Sequence, residues 1–107
     1  MGRQRRPVPK LLAKKLRVIR LKLGVGQVEM AKLLRKTPSP PDGAMVSRFE
    51  RGLREPNLFV LLRYANLAHV SPTVLMDDSW SVKDLDGWIA TNIQDYVPEA
   101  RAWVKKK

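Results

Sequence analysis

The stretch Arg20-Leu-Lys-Leu-Gly-Val-Gly-Gln27-Val-Glu29-Met30-Ala31, followed by Ser47-Arg48-Phe49-Glu50-Arg51-Gly52 and Glu55-Pro56, decides how this chain reads. It yields two short helices separated by a turn, each with an apolar inner face and a basic flank. That is the arrangement a reader of the DNA major groove needs. Upstream, Leu12, Leu16, Ile19 and Leu23 recur at spacings of three and four, which predicts a helix from Lys10 to Leu23. Lys14, Lys15, Arg17 and Lys22 then fall elsewhere on the cylinder, and Gly24 suits a left-handed helix end.

A second helix is expected from Gln27 to about Arg35, with Met30, Ala31 and Leu34 inward. Three prolines in Pro38-Ser-Pro-Pro41 preclude helix, so Lys36–Pro41 must be a loop. Asp42 is a good N-cap for a third helix to about Arg51, and Gly52 a good stop. Asn57 can cap a fourth helix whose Leu58, Leu61, Leu62, Ala65 and Leu67 are expected to be mostly buried. A short fifth helix, Val70 to Met76, is entered through Ser71-Pro72. Leu85, Trp88, Ile89 and Ile93 keep helical spacing and predict a sixth from about Val82 to Asp95. Pro98 then separates a last turn holding Trp103. There is no strand alternation and no internal repeat, so the expected class is all-α.

A chain of 107 residues, 44% hydrophobic, has room for one core. It contains no cysteine, which excludes disulfides, thiolate metal sites and a thiol nucleophile. No apolar run approaches the roughly 20 residues of a bilayer span, and the basic N-terminus lacks the apolar segment of a secretory signal. A cytoplasmic protein without membrane association is expected. The net charge of +11 is unevenly placed. Residues 1–56 hold 15 Lys/Arg against 4 Asp/Glu, whereas residues 57–107 hold 6 of each. The whole excess lies in the half with the first three helices, which implies a polyanionic partner whose counterions are released on binding.

At this point the chain resembles the lambda-repressor/Cro (Xre-type) helix-turn-helix family of DNA-binding proteins, from roughly Leu11 to Asp77. Arg20 stands seven residues before Gln27. Gln27, Glu29, Met30 and Ala31 match the family's Gln-x-Glu-Leu-Ala opening of helix 2. Val46, Ser47, Phe49, Glu50 and Gly52 match the end of its recognition helix, and Glu55-Pro56, Ala65, Val70 and Leu75 its last two helices. The resemblance implies a five-helix lambda-repressor-like DNA-binding domain over residues 10–77, preceded by a flexible basic arm (1–9). An additional C-terminal helix then lies in an extension (78–107). It implies an ion pair between Arg20 and Glu50, and close approach of helix 2 to helix 3 at Ala31.

Counting back from Glu50, the positions from which the family touches base edges are Gly43, Ala44, Met45, Ser47 and Arg48. Only Arg48 can hold guanine bidentately. Ser47 offers one hydrogen bond or faces the core, Ala44 and Met45 offer apolar contact to thymine, and Gly43 offers only close approach. Gln27, Arg51 and Arg54 are expected at phosphates. The turn is about five residues longer than the family's. This insertion either extends outward or sets Lys36 and Thr37 on the sugar-phosphate backbone. Arg3, Arg5 and Arg6 of the arm suit a minor groove or a non-specific electrostatic grip.

One such module buries only about 600–1,000 Å² on DNA, so a homodimer on two half-sites is expected. Trp80, Trp88, Ile89 and Trp103 in the extension either form the dimer or partner contact, or fold back over the core. His69 is expected as a left-handed helix cap. No metal-ligand spacing, Ser-His-Asp set or phosphate loop accompanies it, so no enzyme, cofactor or metal is expected. The leading expectation is a transcriptional regulator that binds double-stranded DNA. Its competitors are the antitoxin of a toxin–antitoxin pair with a toxin on its acidic tail, a protein-interaction module that no longer reads DNA, and an RNA-binding protein. The RNA reading is disfavoured because the tryptophans lie apart from the arginines.

Overall fold

The computed structural model describes residues 9–92, and among them every regular element is helical: α1 (Leu12–Leu23), α2 (Gln27–Leu33), α3 (Gly43–Glu50), α4 (Leu58–Ala68), α5 (Pro72–Met76) and α6 (Val82–Asn92). Ile93, Asp95, Pro98 and Trp103, like Arg3, Arg5 and Arg6, lie outside the described residues.

The helix ends follow local chemistry. Gly24 closes α1 at φ 76°, and its N–H reaches back to the carbonyls of Arg20 and Leu21. His69 closes α4 in the same left-handed conformation at φ 57°. Asp42 accepts from Met45 N at 2.8 Å, Asn57 from Val60 N at 2.9 Å, and Ser71 caps α5 with Pro72 at its first position. In α2 the Glu29 carboxylate accepts from Gly26 N at 3.1 Å, the return half of a capping box. Among the described residues no helix is long and apolar enough to cross a membrane.

One core joins all six helices. Leu12, Leu16, Ile19 and Leu23 line the inner face of α1, as their spacing predicts, and meet residues of α3, α4, α5 and α6. α2 packs chiefly on α3. Tyr64, fully buried, sits at the centre of the inner face of α4, which also presents Val60, Leu61, Ala65, Leu67 and Ala68. Two of the five residues expected to be inward there are not: Leu58 is 75% exposed and Leu62 is 45% exposed. The helix is apolar almost all round, so periodicity left its rotation open. The packing chose the arc centred on Tyr64, which leaves Leu58, Phe59, Leu62 and Asn66 on the opposite arc.

Lys15, expected off the apolar face of α1, is also wholly buried. Its ammonium donates to the carbonyls of Val74 at 2.8 Å and Asp77 at 2.9 Å, where α5 ends. Burial lowers its pKa, against the opposing pull of Asp78 and Asp77. A lysine is tolerated inside because its charge meets the orphan carbonyls of a helix C-terminus. The same turn answers in kind. Asp78 accepts from Lys10 N at 2.9 Å and Leu11 N at 3.1 Å, capping α1 in the absence of any side-chain cap from Leu11. These two backbone N–H groups hold the Asp78 carboxyl below the usual carboxylate range. α1 and the turn after α5 therefore cap one another.

Candidate nucleic-acid interface

The outward face of α3 carries Ala44, Arg48 and Arg51, all exposed and one helical turn apart, with Ser47 half-buried at its edge. Val46 and Phe49 anchor the other side in the core. The remaining positions expected at bases are placed otherwise. Met45 is partly buried against the core and so turned from the outer stripe. Gly43 does serve close approach, but to α2: a Cβ there would stand 3.1 Å from Val28 Cγ2 and 3.4 Å from Val28 Cα. The first turn of α3 thus rests on the first turn of α2. Ala31, where the family resemblance implies the close approach, lies three residues beyond Val28 and is partly buried against the core.

The segments around α3 carry further exposed cations: Lys32 in the last turn of α2, Arg35 and Lys36 after it, and Arg54 after α3. Lys32 and Arg35 were not singled out from the sequence, although their spacing of three places them on one side of the segment. Three carboxylates of the same region are engaged within the fold. Glu29 holds Gly26 N, Asp42 holds Met45 N, and Glu50 is paired with Arg20. Lys32, Arg35, Lys36, Arg48, Arg51 and Arg54 are all exposed, so positive charge dominates the surface contributed by these segments.

The Arg20–Glu50 pair is bidentate, Nε to Oε2 at 2.6 Å and Nη2 to Oε1 at 3.0 Å, and both side chains are largely buried. Arg20 Nη1 also donates to the carbonyl of Val25 at 3.0 Å. Gln27 donates through Nε2 to Glu50 Oε1 at 3.3 Å. Its side chain thus belongs to this cluster, linking the starts and ends of α1, α2 and α3. Tyr64 lies close enough to feel both charges of the pair, yet its buried hydroxyl has no hydrogen-bond partner among the described residues.

The proline-rich insertion runs along the other flank of α3. Ser39, at φ 51°, Pro40 and Pro41 share a shallow groove with Met45, Phe49 and Arg54, so Ala44, Arg48 and Arg51 remain uncovered. Thr37 donates its hydroxyl to the carbonyl of Leu34 at 2.8 Å. Its proton is spent closing α2 and is not offered outward. Lys36 is exposed.

In the extension, Leu85 and Ile89 are fully buried, and α6 packs on α1. Ile89 is therefore core and not a dimer contact: its helical spacing with Leu85 puts it on the inner face of α6, apart from the tryptophans that suggested an interface. Trp88 is 41% exposed and donates Nε1 to the His69 carbonyl at 3.2 Å; Trp80 is 37% exposed. Through residue 92 the extension folds back over the domain. Compared with protein-family models, curated proteins and solved structures, the chain matches none.

Proposed function

We propose that this chain binds double-stranded DNA as a transcriptional regulator of the Xre type, with α3 in the major groove. One observation carries the reading. To the exposed stripe Ala44–Arg48–Arg51 the neighbouring segments add the exposed cations Arg35, Lys36 and Arg54, while Glu50 is paired inward with Arg20 and the carboxylates of Glu29 and Asp42 are engaged in capping α2 and α3. Arg48 reads a guanine, Ala44 lies close to the base edges, and Arg51, Arg54, Lys36 and Arg35 meet phosphates. Gln27 acts mainly by holding Glu50, which fixes the angle between α2 and α3.

The test is binding of duplexes of varied sequence across a salt series. Arg48→Ala should remove about 1–3 kcal/mol of discrimination and flatten preference among sequences. Arg51→Ala should weaken every duplex alike and reduce the salt slope by about one. Identical behaviour of the two variants would sink the assignment of roles along α3. Absence of duplex binding by the unaltered chain at low salt would sink the function itself.

A further inference from the structure

We propose that the outer face of α4 is the surface on which two copies of this chain associate. The face consists of Leu58, Phe59, Leu62 and Asn66, with the three apolar side chains 75%, 57% and 45% exposed. A helix that is hydrophobic all round is ordinarily buried all round. α4 comes close to this, Arg63 and Asn66 excepted, and within one copy only its Tyr64 side is covered. Beside Leu58 the surface continues as a mostly apolar groove formed with Pro9, Pro56, Leu61 and Met76, with Glu55 as its one charged side chain. A stable interface buries about 800 Å² on each partner, more than one helical stripe supplies. The groove adjoins the stripe at Leu58 and adds to its apolar area.

Charge selects the occupant. The chain carries +11, so two copies repel over most orientations. Between Asn57 and Met76, His69 aside, the sequence has a single charged residue, Arg63, and its guanidinium donates to the Leu33 carbonyl at 2.9 Å, at the end of α2. The outer face of α4 thus offers a second copy a surface with no like charge of its own to repel it. A two-fold interface must also be complementary to itself, since each residue set faces its own duplicate. An uncharged apolar stripe meets that condition, and a single-sign charged surface does not. Neither point depends on DNA; the pairing adds the second half-site that the proposed function calls for.

The experiment is sedimentation equilibrium of the full chain at physiological salt, over a micromolar concentration series. The unaltered chain is expected to dimerise. Leu58→Glu and Phe59→Glu should each raise the dissociation constant by about tenfold or more. Leu21→Glu, at a 52% exposed leucine of α1, should leave it unchanged. Helical circular dichroism should be the same for all four proteins. A monomer at every concentration, association indifferent to Leu58→Glu and Phe59→Glu, or equal weakening by Leu21→Glu would each overturn the proposal. Duplex binding is read in a separate titration, so loss of the DNA reading and loss of this one produce different results.

Discussion

The outward faces of α3 and α4 differ in the one property that hydrophobic periodicity does not report. Both helices bury an apolar arc in the same core. α3 turns Ala44, Arg48 and Arg51 outward, and α4 turns Leu58, Phe59 and Leu62 outward. In α3 the solvent side is charged, so the helix is complete as a surface element of a single copy. In α4 it is apolar, and single-copy folding leaves that hydrophobic surface in water. The lesson is that the inner face of a helix defines the fold, while the outer face defines what the fold meets. One face suits a polyanion, and the other suits a surface as uncharged as itself.

The sharpest way to break this contrast is to dismantle the cluster that holds α3 in place without touching α4. Glu50→Ala leaves the largely buried Arg20 guanidinium without its carboxylate and Gln27 without its acceptor. Breaking a buried pair from one side costs about 3–5 kcal/mol. That is a large share of the roughly 5–15 kcal/mol that stabilises a small domain. Denaturant unfolding should show it as a lower midpoint. Below that midpoint duplex affinity should fall as the angle of α3 loosens, while self-association through α4 persists. A loss under about 1 kcal/mol would mean that the pair does not hold α1 to α3.

A smaller effect is expected at the turn shared by α1 and α5, which supports both faces equally. Lys15→Met keeps the aliphatic stem but leaves the Val74 carbonyl buried without its donor. The expected cost is about 1–3 kcal/mol, with duplex binding and dimerisation both retained at low temperature. The reciprocal cap gives a pH signature. The folded pKa of Asp78 lies below its unfolded value, so its contribution is complete above that unfolded value, near 3.8. It disappears as pH falls through the lower, folded value. Thermal unfolding followed from pH 5 downward should show an acid loss that Asp78→Asn reduces. An identical acid profile in the variant would remove Asp78 from the account.

How much of this was legible beforehand depends on whether the cause is local. Gly24, Asp42, Asn57 and His69 were readable as helix ends because a cap is settled within three or four residues of backbone. The meeting of Arg20 with Glu50 was readable only through the family resemblance, since nothing in their spacing places them together. The rotation of α4 was illegible because its apolar residues nearly encircle it, so Leu58 and Leu62 looked as buried as Leu61. Lys15 was illegible for a different reason. Its burial is licensed by carbonyls 59 and 62 residues away in the chain, at Val74 and Asp77. The candidate face on α3 was half legible: Ala44 and Arg48, reached by the count from Glu50, are exposed, but Val28 over Gly43 and the partly buried Met45 are outcomes of helix packing.

The smallest effect is expected where the two regions touch. Tyr64 belongs to the inner face of α4, and its ring is buried behind the outer stripe of Leu58 and Leu62. Its hydroxyl lies in reach of the Arg20 and Glu50 charges without a hydrogen bond to either. Burial pushes the phenol's pKa up, so it stays neutral and carries the desolvation penalty of an unpaired polar group. Tyr64→Phe removes that penalty and no packing, and should stabilise the fold by up to about 1 kcal/mol. Duplex binding and dimerisation should stay the same. A destabilisation of about 1 kcal/mol or more would instead show the hydroxyl bonded to the ion-pair cluster. In that case α4 would help to set the angle of α3, and the two faces would be coupled and not independent.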